Sequence, residues 1–196
     1  VPRTKPMRID TRFDQFQVLV DVKAAVGVTG RVGFLPPFCD FPSQLSAAFG
    51  INSFRDVDPL MSREYVAFAN QYFHGASEPC CSPPTPRTAD PLLAWRAAGV
   101  THLLGPKSGF SNLIPILNFQ HGSLYKIADA LPKAFTMAGH VSDLASALSL
   151  QKSSAKVLTY RPEFYALAAE VSSDSTLVIT NASHRNWQAT VDGKNT

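Results

Sequence analysis

A chain of 196 residues, 45% hydrophobic and only 17% charged, has the length and apolar content for a substantial core. Its net charge of +3 is thinly spread, with only Arg3, Lys5 and Arg8 clustered, which argues against the dense basic stripe of a nucleic-acid binder. No window reaches the ~18 consecutive apolar residues of a membrane span, and no signal-peptide core is present.

Residues 1–27 read as a polar lead-in. Phe13, Phe16, Val18, Leu19, Val22 and Ala25 mix two periods, which predicts a short strand or turn running into a helix. Gly30 releases a short buried strand, Arg31-Val32-Gly33-Phe34-Leu35, stopped by Pro36-Pro37. A short helix over Ser43 to Phe49 follows. Asp58-Pro59-Leu60 starts another, with Asp58 as N-cap and proline at the first helical position, where its missing donor costs nothing. Met61, Tyr65, Phe68, Ala69, Tyr72 and Phe73 share one face of that helix. Asp90-Pro91-Leu92 repeats the opening, and Gly99 closes the helix it launches.

From Val100 the chain turns strand-rich. Strands are predicted over Val100 to Leu104, Leu113 to Phe119, Ser123 to Ile127 (paired with its predecessor across His121-Gly122) and Ala134 to Met137. A helix capped by Ser142 runs to Leu150. Further strands cover Lys156 to Tyr160, Tyr165 to Val171, Leu177 to Thr180 and Trp187 to Val191. Helices early and strands late predict an α+β fold with a largely antiparallel sheet in the C-terminal half. The division expected is an α/β subdomain over 28–150 and the start of a β-rich, sandwich-like subdomain over 151–196. The chain stops just past the Asp192-Gly193 turn, as if cut from something longer.

Chemistry is sparse. Gly27-Val28-Thr29-Gly30 lacks the third glycine of a nucleotide fingerprint, and there is no Walker lysine or nucleophile elbow. His74, His102, His121, His140 and His184 are scattered without metal-ligand spacing, so neither metal nor cofactor is expected. Cys39, Cys80 and Cys81 are consistent with free thiols or with a bridge from Cys39 to one of the vicinal pair. In Phe54-Arg55-Asp56-Val57-Asp58-Pro59, Arg55 with an aspartate would suit a sugar or phosphate, although helix capping by Asp58 is the plainer role. Trp187 would stack a sugar ring if exposed. Its period-two spacing with Ala189 and Val191 favours a core position.

Several stretches resemble one family in the same order. The ending Leu177-Val178-Ile179-Thr180, then Asn186-Trp187-Gln188-Ala189-Thr190-Val191-Asp192-Gly193-Lys194, is similar to the strand and Gly-Trp-x-Ala-x-Val-Asp-Gly run of YfhO-type bacterial membrane proteins. Gly30-Arg31-Val32, Phe49-Gly50-Ile51, Phe54 to Leu60 with Tyr65, Ala98 to Leu104 and Leu131-Pro132-Lys133-Ala134-Phe135 agree colinearly, covering residues 28 to 194. Asn186 for glycine, Asp56-Val57 for Gly-Tyr and Lys133 for arginine are departures.

The resemblance implies an extracytoplasmic domain of a polytopic protein similar to lipid-sugar-dependent glycosyltransferases, with an accessory or acceptor-positioning role in cell-envelope glycosylation. Its partners would be its own transmembrane region and a lipid-linked sugar or envelope polymer, with no nucleic acid. Residues 1–27 would lead in from the membrane part. The catalytic carboxylate of such enzymes lies between early membrane helices, so no complete catalytic centre is expected here. Substrate contacts fall to Arg31, Arg55, Asp58 and Trp187. Export to an oxidising compartment would favour the Cys39 disulfide. The alternatives are a free-standing soluble α/β enzyme using Arg55, Asp58 and a histidine on a small anionic substrate, or a non-catalytic glycan-binding or assembly module.

Overall fold

A computed structural model describes residues 10–35, 38, 46, 48–54, 63–74, 85–87, 90–107, 112–139, 152–161, 164–180 and 187–195. Helix α1 (Asp10–Val26) meets neither glycine nor proline until Gly27, whose amide donates to the Lys23 carbonyl at 3.0 Å. Phe13 to Ala25, where a short strand or turn running into a helix was expected, all lie within this one helix. The mixed periodicity has a physical cause: Leu19, Val22 and Val26 make a narrow buried stripe, while Phe16 and Val20 are apolar yet exposed. That stripe packs on Val32, Ile51, Leu104 and Leu124, so part of the expected lead-in belongs to the core.

The main sheet contains β1 (Arg31–Phe34), β2 (Asn52–Ser53), β5 (His102–Gly105), β6 (Pro115–Phe119) and β7 (Gly122–Lys126), in the order β2-β1-β5-β7-β6. β1 is parallel to β2 and β5, whereas β5-β7 and β6-β7 are antiparallel. Register explains the two faces. Phe34, Leu104 and Leu124 form one cross-strand row, on the α1 side. Gly33, Leu103 and Tyr125 form the neighbouring row, which faces the other way.

Against that second face lie α2 (Arg63–Tyr72) and α3 (Pro91–Ala97), between which β3 (Phe73–His74) pairs with β4 (Thr85–Pro86). Phe54, Phe73 and Trp95 meet there, with ring centroids 4.8 to 5.4 Å apart. A Cβ on Gly33 would stand 2.9 Å from the Trp95 ring, so the absence of a side chain at 33 lets the indole lie on the strand. The start of α3 is as expected: Asp90 is extended, and its carboxylate accepts from the Leu92 amide at 2.9 Å.

A second sheet places β8 (Ala134–Ala138) between β9 (Lys152–Ser154) and β12 (Ser175–Ile179), all antiparallel, over Leu131, Phe135 and Met137. Because β8 pairs with strands from beyond residue 150, this sheet crosses the division expected there. Two hairpins complete the structure: β10 (Lys156–Arg161) with β11 (Phe164–Ala168), and β13 (Thr190–Val191) with β14 (Lys194–Asn195). The architecture is α+β, with a mixed five-stranded sheet and small antiparallel sheets in the strand-rich C-terminal half. The helix start expected at Asp58-Pro59-Leu60 and the helix expected from Ser142 to Leu150 lie outside the described residues.

Candidate functional site

The first residue of β1, the entry to β8, the exit of β12 and the β10-β11 hairpin converge at one seam. Arg31 donates from its guanidinium to the Ala98 carbonyl at 2.6 Å and to the Thr180 carbonyl. Its backbone amide donates to Thr101 Oγ1 at 3.0 Å. A cation on the last carbonyls of α3 both satisfies an otherwise orphaned acceptor and complements the helix dipole. Arg31 therefore fastens a helix end to the end of β12. The bonds described for Arg31 are architectural, and they do not bear on the substrate contact expected of it.

Thr180 completes the fastening. Its amide donates to the Lys133 carbonyl at 3.0 Å, and its hydroxyl donates to the Pro132 carbonyl at 3.1 Å. The backbone of Lys133 is thereby fixed just ahead of β8. Lys133 is buried, with a relative exposure of 7%. Among the described residues the Nζ has no hydrogen-bond partner. It lies 4.8 Å from the Tyr160 ring centroid and 5.6 Å from that of Tyr165. Burial, and secondarily the neighbouring Arg31 charge, lower the Lys133 pKa from 10.5 to about 7.

The two tyrosines meet because they are a cross-strand pair of the β10-β11 hairpin. Their rings are 5.1 Å apart in an edge-on arrangement, and Tyr160 donates to Asn52 Oδ1 at 2.7 Å. That bond anchors the hairpin to β2 at the edge of the main sheet. Burial, the neighbouring Tyr160 and their mutual hydrogen bond push the Tyr165 phenol upward, so it stays neutral. Trp187 continues the aromatic run, with its ring centroid 5.3 Å from that of Tyr165.

Trp187 corrects the sequence expectation. It is 41% exposed, and its neighbours Gln188, Ala189 and Val191 are exposed as well. The strand begins only at Thr190, so most of the period-two pattern that suggested a core face lies ahead of the strand. The indole is a surface platform backed by Tyr165.

Among the other expected contacts, Arg55 and Asp58 lie outside the described residues, as do Cys39, Cys80 and Cys81. Of the described histidines, His102 is buried, and its Nδ1 lies 2.8 Å from Thr101 Oγ1. Burial, with Lys126 adding to it, lowers its pKa to about 4, so it is neutral at physiological pH and built into the sheet. No group of three or more potential metal ligands occurs among the described residues. No helix of the described residues is long and apolar enough to cross a membrane.

Lys133, Tyr160, Tyr165 and Asn52 escaped the sequence reading as site residues. A signal for the tyrosines was available: Tyr160-Arg161-Pro162-Glu163-Phe164-Tyr165 is a turn flanked by equidistant aromatics, which a hairpin places opposite one another. Nothing local marks Lys133. Chemically, the cluster offers aromatic faces for stacking and an amine with unused donors, and it contains no nucleophile-base pair. Comparison with protein families, curated proteins and solved structures returns no match.

Proposed function

We propose that this chain is an extracytoplasmic accessory domain of a polytopic bacterial membrane protein resembling lipid-sugar-dependent glycosyltransferases, and that it positions a glycan acceptor or lipid-linked sugar. The observation that carries the glycan contact is the half-exposed Trp187, its ring packed at a tilt beside Tyr165. Sugar rings present CH faces that pack on such a platform, and their hydroxyls need polar neighbours at its rim. The colinear family resemblance from Gly30-Arg31-Val32 to Asp192-Gly193-Lys194 supports the membrane context. Location and ligand contact are separable and are tested separately.

Native cells are fractionated with an antibody to this domain while protease is supplied outside the cytoplasmic membrane. A membrane-bound signal destroyed by the protease is the expected result. A soluble, protected signal overturns the membrane context and leaves a non-catalytic glycan-binding module, the second reading that the exposed Trp187 favours.

A further inference from the structure

Lys133 is unusual in what surrounds it. An ammonium carries three donors and accepts nothing, and burial without a partner is costly enough that such groups are rare in folded proteins. Here the Nζ is buried and makes no hydrogen bond among the described residues, while Arg31 adds like charge. The only compensation described is the weak attraction of two phenol rings. Nothing about the fold demands a lysine there: a methionine of similar length would fill the same space between Tyr160 and Tyr165 at lower cost. A destabilising cation retained next to an exposed aromatic platform has the character of a binding group left unsatisfied until ligand arrives.

We propose that Lys133 is the anion-recognising group of this site, and that the preferred ligand is a sugar bearing a carboxylate or a phosphate. This rests on the reading of Trp187 as a sugar platform. Tyr165 is the shared neighbour of Trp187 and Lys133, so a sugar held on the indole has its charged substituent directed at the ammonium when the phenol ring rotates aside. The β10-β11 hairpin that carries Tyr165 also exposes Leu158 and Phe164, so it is a surface element rather than part of the buried core. The anion then supplies the acceptors that Lys133 lacks, in a partly desolvated setting where a charge-assisted hydrogen bond is strong.

The test follows the Trp187 indole resonance by NMR while the intact chain is titrated with glucose, glucuronate and glucose 6-phosphate at pH 6.5. The wild type is expected to bind at least one charged sugar ten-fold or more tighter than glucose, and whichever one clears that margin identifies the charged group. Lys133→Met, which removes the charge and keeps the volume, is expected to bring that sugar down to the affinity of glucose. Equal binding of all three by the wild type overturns the role of Lys133 while leaving the sugar platform standing. A charged-sugar preference that survives in Lys133→Met overturns it too. No response to any of the three overturns the platform and the inference together.

Discussion

The energetic consequence of Lys133 can be read as a pH dependence. Its pKa is about 7 in the folded protein against 10.5 as the ordinary value. Between those values the unfolded chain holds a proton that the folded chain releases, so stability rises with pH from about 7 upward. Below about 7 both states are protonated and the full penalty stands. The fall from 10.5 to about 7 corresponds to roughly 5 kcal/mol, at about 1.36 kcal/mol per tenfold change in proton affinity. Tyr165 acts in the opposite sense at the alkaline end: its raised pKa means that stability falls once unfolded tyrosines ionise, above pH ~10. Urea unfolding should therefore show a gain between pH 7 and pH 9.5. Lys133→Met should be more stable than wild type at pH 6.5 and lack most of that gain. Trp187 makes the complementary case. Its exposure sets the cost of Trp187→Ala at about 1 kcal/mol or less by urea unfolding, far from the ~3–5 kcal/mol of a core tryptophan, and sugar binding should be lost.

At the level of elements, local chemistry and register were unequally visible in the sequence. The start of α3 was legible because an N-cap acts over three residues: Asp90 accepts from Leu92, and its other oxygen lies 3.4 Å from Arg96 Nη1. Asp90→Ala should cost about 1 kcal/mol, measured as a shift in the urea midpoint with unchanged slope; a change in slope would mean that more than the cap was lost. The β6-β7 hairpin was legible from the alternation on either side, but its turn lies at Gln120-His121, one residue earlier than the His121-Gly122 turn expected, and Gly122 opens β7. By contrast, α1 hid its buried stripe among exposed apolar residues. The last hairpin is closed by Asp192 and Gly193, both at positive φ (51° and 77°), the conformation an Asp-Gly pair adopts in a two-residue turn. The sequence announced that turn correctly but overstated the strand before it.

For the whole molecule, the α+β class followed from the order of helices and strands, whereas the candidate site did not follow from anything local. Arg31, Asn52, Lys133, Tyr160, Tyr165, Thr180 and Trp187 come from six separate stretches, and they meet because β1 and the edge strand β2 lie at one side of the main sheet and β12 returns to β8. Sequence could propose Arg31 and Trp187 by residue type. It could not foresee that the first would be occupied by carbonyls, that the second would be exposed, or that an inconspicuous Leu-Pro-Lys-Ala-Phe stretch would bury an amine. Pairings separated by well over a hundred residues leave no periodic trace.

The Arg31 bond to Thr180 also bears on how the chain reaches this structure. It joins residues 149 apart in sequence, and the parallel β1-β5 pairing beside it closes a loop of about seventy. Contacts of such separation impose their chain entropy before returning any stabilisation, which slows folding. During synthesis, α1, β1 and α3 are all made long before Thr180 leaves the ribosome. The end of α3 must wait for that residue with its guanidinium clasp half closed, so a shortened chain lacking the β12 exit should assemble the main sheet yet never lock the seam where the aromatic cluster sits.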